Sequence, residues 1–231
     1  MRADTVIVAI VCFIAVSSLA SAEDHLVPPY KDSDWGLRGY ALFLQKHLFL
    51  TPATYGRVLV HPSPASIGEY SLSIYPTREP GLVHVSLVRA SRNVWSYLTD
   101  KKDGVTVPPV HEPWEVAPLR FHRSDATLPM SAGAALRAAF AAMLHGTRGR
   151  YPGYSGGVYV DGYDIEFSLT EGSATLRGVI TPNVTGKNVS ELRKLVDLLE
   201  SYCQAQSGRR ASLAGDIERK ARSIATRATK T

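Results

Sequence analysis

Apolar and polar side chains alternate in two separate parts of the sequence, and a helical stretch lies between them. Residues 69–75 and 82–90 alternate with a short turn between them, and residues 163–169 alternate before a further strand candidate at 174–181. Alternation over these lengths predicts strands with one buried face. Because strands and helices do not alternate regularly along the chain, we expect an antiparallel rather than a parallel sheet.

Helical spacing of apolar residues predicts the other elements. Three segments show it clearly: one begins near Trp35 and has its end marked by Pro52, and the others lie at residues 131–145 and 188–208. Ser131 is predicted to cap the second helix, while Asn188 and Glu191 resemble a capping box at the start of the third. The predicted fold class is therefore α+β: a mostly antiparallel sheet of two hairpin regions, packed by three to four helices in a single domain.

Two stretches carry weaker strand signals. Residues 158–160 precede Asp161 and Gly162, a dipeptide suited to a tight turn, and we expect a hairpin with residues 163–169. Residues 100–129 are rich in proline and charge, which predicts a loop with one or two short edge strands.

The first 22 residues have the form of a secretory signal peptide. Arg2 precedes an apolar run at residues 6–19, and Ala20, Ser21 and Ala22 supply a small-residue cleavage site. The run has 14 residues, whereas a helix needs about 20 to cross a bilayer. We expect cleavage after Ala22, a secreted or periplasmic location, and no transmembrane segment in the mature chain.

Cysteine content limits how the mature chain can be stabilised. Cys12 leaves with the signal, so Cys203 remains alone and an intramolecular disulfide is excluded. Cys203 falls on the apolar side of a predicted helix, which favours a packed thiol over a reactive one.

The positive charge of the chain is concentrated at its end. The net charge is +5, and residues 209–231 alone carry seven basic against two acidic side chains. We therefore divide the chain into a signal at 1–22, a globular domain at 23–208 and a basic tail at 209–231, either helical or disordered. Because the tail is short of apolar mass, the domain is expected to fold without it. Five basic residues are its candidate partner-binding residues: Arg209, Arg210, Arg219, Lys220 and Arg222.

Catalytic motifs are weak by comparison. Ser155 lies in a G-x-S-x-G sequence, but no strand precedes it and no histidine follows it, so the hydrolase nucleophile elbow is not supported. The densest acidic group contains Asp161, Asp164 and Glu166, which could supply an acid and a base for glycoside cleavage. The histidine spacing does not match a metal motif, and we expect no metal and no cofactor.

These observations favour an exported, non-enzymatic binding protein of the inhibitor or immunity type, acting in the cell envelope or outside the cell. Its expected partner is a protein or an anionic envelope component rather than a nucleic acid, because no aromatic residues interleave the basic ones. An envelope hydrolase using the three carboxylates and a structural envelope protein remain the alternatives.

Overall fold

The structure is a computed structural model. It describes residues 24–26, 35–49, 55–62, 68–94, 100–102, 105–107, 119–148, 163–182 and 186–230. Within these ranges, no helix combines the length and the apolar character needed to cross a membrane. The predicted signal peptide lies outside the described residues.

Four helices and eight strands follow one another along the described chain. The helices are α1 (Trp35–Leu48), α2 (Met130–His145), α3 (Lys187–Gln204) and α4 (Ser207–Ala228). The strands are β1 (Gly56–His61), β2 (Tyr70–Pro76), β3 (Leu82–Ala90), β4 (Asp100–Lys102), β5 (Val105–Val107), β6 (Phe121–Pro129), β7 (Asp164–Glu171) and β8 (Ala174–Ile180).

Six of the strands form one antiparallel sheet in the order β6-β3-β2-β1-β7-β8, and β4 pairs with β5 separately. The predicted α+β class and antiparallel sheet are confirmed. The hairpin predicted from residues 69–90 is β2–β3, in which Leu72 lies opposite Leu87 and Ile74 opposite Val85. Its turn contains Gly81 at φ 79°, a left-handed conformation that favours glycine.

The second β region contains the two strands predicted at residues 163–169 and 174–181, as β7 and β8. β7 pairs with β1 along one edge and with β8 along the other, so both of its edges are occupied. The predicted hairpin between residues 158–160 and this strand involves residues that lie outside the described part. The strand β6 has nine residues, longer than the short edge strands expected there. Only Ala126 and Leu128 are buried along it, which leaves little alternation to detect.

Helices α2 and α3 contact one face of the sheet and α4 packs against both of them, so that the three helices enclose the main core, the larger apolar cluster of the molecule. This cluster joins the inward side chains of β1, β2, β3, β7 and β8 to the buried faces of the three helices. α2 approaches β3 closely at Gly133, where an added Cβ would lie 2.6 Å from a methyl carbon of Val83. The close contact requires glycine at this position.

The opposite face of the sheet, called the second face below, is packed by α1. Leu44 and Leu48 from the helix meet Leu59 of β1 and Val88 of β3 in a smaller apolar cluster, separate from the main core. The helices therefore lie on both sides of the sheet, but unequally.

The basic segment after residue 208 belongs to a helix that packs into the main core. The proposed boundary at residue 208 falls inside α4, whose buried side chains are Leu213, Ala214, Ile217, Ala221 and Ile224. The expectation that this segment has little to pack is wrong. The few apolar residues of α4 are enough to pack it, because they share one side of the helix and contact both α2 and α3.

Two predicted helix caps are also replaced by other contacts. Pro129 precedes α2, and the Ser131 hydroxyl instead donates to a carboxylate oxygen of Glu218 at 2.8 Å. At the start of α3, Asp24 Oδ1 accepts hydrogen bonds from the backbone N–H groups of Asn188 and Val189. The predicted burial of Cys203 is confirmed.

Candidate functional site

The connections from β1 to β2 and from β3 to β6, and the segment that enters β7, meet the sheet at one end. This end, called the loop end below, contains the last residue of β1 and the first residue of β7, since His61 and Asp164 are opposite in register. The start of β2 lies beside them, with Tyr70 opposite Val60. The other end of the sheet has short turns at residues 77–81 and 172–173. Binding and catalytic residues concentrate where long loops meet a rigid scaffold, so the loop end is the candidate region for a functional site.

Three side chains form a partly buried hydrogen-bonded group at the loop end. The Tyr40 hydroxyl donates to Glu69 Oε1 at 2.7 Å and lies 3.1 Å from His61 Nδ1. The second carboxylate oxygen of Glu69 accepts the backbone N–H of Val94 at 2.6 Å. We call Tyr40, His61 and Glu69 the latch, because they join α1, the end of β1 and the start of β2.

The hydrogen bonds assign the tautomer of the imidazole. Since Tyr40 donates its single hydroxyl hydrogen to Glu69, its oxygen accepts from Nδ1–H of His61. Burial lowers the pKa of His61 to about 4, although the charge of Glu69 opposes this. Burial, followed by the charge and hydrogen bond of Glu69, raises the pKa of Tyr40 well above its usual range. Both rings are therefore neutral at neutral pH.

The three carboxylates singled out in the sequence do not come together. Asp164 lies opposite His61 in register, and its charge contributes to the raised pKa of Tyr40. Glu166 lies farther along β7 and forms an ion pair with Arg177 at 2.6 Å. Asp161 lies outside the described residues. The structure thus places one of the three beside the latch and gives Glu166 a separate partner.

A second polar group occupies the helix side of the loop end. Arg89 forms a 2.5 Å ion pair with Glu200 of α3 and lies over the Tyr70 ring at 4.6 Å. The Tyr70 hydroxyl is 3.3 Å from that of Tyr163. Sequence reasoning missed these residues because the partners are 111 and 93 positions apart along the chain. In the sequence, these residues are distinguished only as polar residues at the ends of predicted strands.

A histidine and an aspartate also pair on the second face. His84 Nε2 lies 3.0 Å from Asp125, which Arg123 contacts as well. Burial acts to raise the pKa of Asp125, but the hydrogen bonds from His84 and Arg123 outweigh it and lower that pKa. Among the described residues, no hydrogen bond joins His84 to a hydroxyl or a thiol, so the activated nucleophile of a catalytic triad is not formed there.

The described ranges also contain no cluster of three His, Cys, Asp or Glu side chains that could hold a metal ion. Ser155, the serine of the G-x-S-x-G sequence, lies outside the described residues.

The predicted basic residues lie on or beside the outer side of α4. Arg219 and Arg222 are 76% and 64% exposed, and they pair with Asp216 and Glu218 on the same helix. Arg209 is exposed near the start of the helix.

The other two of the five predicted basic residues are partly enclosed. Lys220 is about a quarter exposed and forms a 2.5 Å ion pair with Glu191 of α3. Arg210 donates to the carbonyl oxygen of Ala205 at 3.0 Å and lies 6.0 Å from the centre of the Tyr202 ring. These two residues connect α4 to α3, whereas the outward cations are Arg209, Arg219 and Arg222.

Comparison with protein-family models, with curated proteins and with solved structures found no match to this chain.

Proposed function

We propose that the protein is an exported binding protein of the inhibitor or immunity type, which holds an acidic partner against the outer side of α4. The observation that supports this proposal is the two-sided character of that helix. It contains six basic and two acidic residues, a net charge of +4, and it buries its apolar residues in the main core.

Packing fixes the direction in which the charges point. Because Leu213, Ile217 and Ile224 are buried, the helix cannot rotate, and Arg219 and Arg222 stay on the solvent side. Asp216 and Glu218 offset only part of the positive charge. A rigid cationic surface attracts acidic partners at long range and loses less side-chain and backbone entropy on binding than a disordered tail does.

The binding proposal is tested by removing the three outward cations together. Arg209→Gln, Arg219→Gln and Arg222→Gln in one protein should weaken binding to phosphatidylglycerol vesicles and to polyglutamate by at least roughly tenfold at 0.1 M salt, where charges interact over about 10 Å. The wild-type affinity should fall steeply with added salt, and the variant affinity should respond less.

The matched control removes three other exposed cations, through Arg78→Gln, Arg120→Gln and Arg148→Gln. It changes the net charge equally and should bind almost as the wild type does. If the control loses as much affinity as the α4 variant, overall charge rather than this helix accounts for binding. If neither probe binds the wild type, an acidic partner is the wrong class.

A second candidate function, an envelope hydrolase, rests on the position of Asp164 opposite His61. A carboxylate beside a neutral imidazole could supply general base catalysis. If that function holds, Asp164→Asn should lower the release of reducing ends from an envelope polysaccharide by about 10²–10⁴-fold. Glu166→Gln is the comparison, because its partner is Arg177 rather than the latch.

A further inference from the structure

We propose that α1 is an acid-sensitive lid over the second face of the sheet, and that the hydrogen bonds of the latch hold it closed. The lid is independent of the proposed function, because α4 lies on the other side of the sheet.

α1 is attached to the sheet without being part of the main core. Its buried leucines belong to the smaller cluster, which contains six buried residues, whereas the other three helices share the main core. One further bond reaches its end, from the Ser71 hydroxyl to the carbonyl oxygen of Leu48 at 2.6 Å. Its outer side carries Leu42, which is 55% exposed. The helix can therefore leave while the packing of α2, α3 and α4 stays intact.

The latch is the polar part of this attachment. Glu69 is only 1% exposed, and its two oxygens receive the Tyr40 hydroxyl and the Val94 N–H. Tyr40 in turn accepts from the imidazole of His61. When α1 moves away, the carboxylate and the imidazole lose this shared partner and regain water.

The groups facing His61 come from three directions. Tyr40 approaches from α1, Glu69 from the segment before β2, and Asp164 from β7, where it is opposite in register. The negative charge of Glu69 favours protonation of the ring, but burial has the larger effect and keeps the ring neutral. A second ring proton would therefore place a charge in surroundings that are largely desolvated by the packed side chains.

The direction of the pH effect follows from the two states. With α1 closed, the pKa of His61 is about 4, and with the ring in water it returns to about 6.5. The open state thus binds one more proton between these values. As pH falls through this interval, the open-to-closed ratio rises about tenfold per pH unit and about 10²-fold in total. Opening would uncover Leu59 and Val88 on the second face.

Hydrogen exchange of the full chain, measured from pH 7 to pH 4.5, tests the lid directly. After correction for intrinsic exchange rates, the amides of α1 from residue 42 onward should lose protection in steps of up to about tenfold per pH unit below 6.5. The amides of α2 should keep theirs. His61→Gln should remove most of the pH dependence of α1, the remainder coming from His47 on the same helix, whose pKa is also lowered by burial. His84→Gln, a histidine of the same face outside the latch, should leave it unchanged.

Three results would overturn the proposal: equal protection of α1 at pH 7 and 4.5, loss of protection in α1 and α2 together, or an unchanged pH dependence in His61→Gln. Should that variant not fold, an NMR titration of the wild-type imidazole decides the question. If the His61 ring titrates near pH 6.5 while α1 stays protected, the ring takes up its proton in the closed state, and protonation does not drive the opening.

Discussion

At the start of α3, two backbone N–H groups point at one oxygen of Asp24. The first N–H groups of a helix have no partner within the helix, and a side-chain acceptor supplies one. Here the acceptor comes from a residue 164 positions away from Asn188. Gly186 makes room for it, because an added Cβ there would lie 2.3 Å from the Cα of Asp24.

Asp24→Ala should therefore lower the free energy of unfolding by about 1 kcal/mol, within a range of roughly 0.5–2 kcal/mol. Asp24→Asn keeps an acceptor oxygen but loses the charge near the helix N-terminus, and should lose less. Urea denaturation measures both. Glu79→Ala, at an exposed turn, is the control and should change little. Equal stability of Asp24→Ala and the wild type would show that this cap contributes nothing.

The thiol of Cys203 should be unreactive in the folded protein. Burial raises its pKa to about 12, and only 3% of the residue is exposed. Labelling with a chromogenic disulfide reagent at pH 8 should be at least about 10²-fold slower in the native state than in denaturant, because the thiolate is the reactive form. Rapid labelling under native conditions would place the thiol at the surface.

These two residues show what could be predicted at this scale. The burial of Cys203 follows from helical spacing alone, since its apolar neighbours on α3 share one side of the helix. The cap could not be predicted, because the local pattern of Asn188 and Glu191 offered a plausible alternative. Glu191 instead pairs with Lys194 and Lys220. Long-range contacts of this kind leave no periodic signal in the sequence.

Among the helices and strands, α4 differs most from what the sequence predicts. Its charge is visible in the sequence, but its packing depends on the groove that α2 and α3 provide. We now expect removal of residues 209–231 to destabilise the fold strongly, because buried side chains such as Ile217 and Ile224 are lost.

A single substitution tests the packing of α4 without shortening the chain. Ile217→Ala should lower the free energy of unfolding by about 2–5 kcal/mol, because it leaves a cavity beside a fully buried helix face. Ser212→Ala, on the exposed side of the same helix, should change it by less than about 0.5 kcal/mol. Thermal or chemical denaturation separates the two. Similar stabilities would mean that α4 is held only by its ends.

The strands also differ in how well the sequence predicts them. β2, β3 and β7 could be predicted because each buries alternate residues against a helix layer. β6 pairs along its whole length with β3, yet most of its side chains are polar and partly exposed. Backbone hydrogen bonds stabilise such an edge strand, and they leave no periodic pattern among its side chains. The latch was missed for a related reason, since only the folded sheet brings Tyr40, His61 and Glu69 together.

Over the whole molecule, residues near the two ends of the described chain meet at one residue, Asn188. The backbone N–H of Asn188 binds Asp24, and its side-chain oxygen accepts from Arg227 at 3.0 Å. Asn188 is itself buried. The N-terminal segment, the start of α3 and the last turns of α4 therefore form one junction.

A double-mutant cycle measures whether the two ends act together. Asp24→Ala and Arg227→Ala both remove a partner of Asn188, so their combined effect should differ from the sum by more than about 0.5 kcal/mol. Asp24→Ala with Arg78→Ala, at the distant β2–β3 turn, should be additive within about 0.5 kcal/mol. Additivity in both pairs would mean that the ends dock independently.

The junction also determines when, during synthesis, the chain can complete its folding. The ribosome makes Asp24 and Leu26 among the first of the described residues and Arg227 among the last, yet the same corner needs them all. A nascent polypeptide that still lacks its final helix has an open groove between α2 and α3 and an incomplete junction at Asn188. The main core and the junction can therefore be completed only after the residues of α4 have been made, which makes this closure a late step in folding.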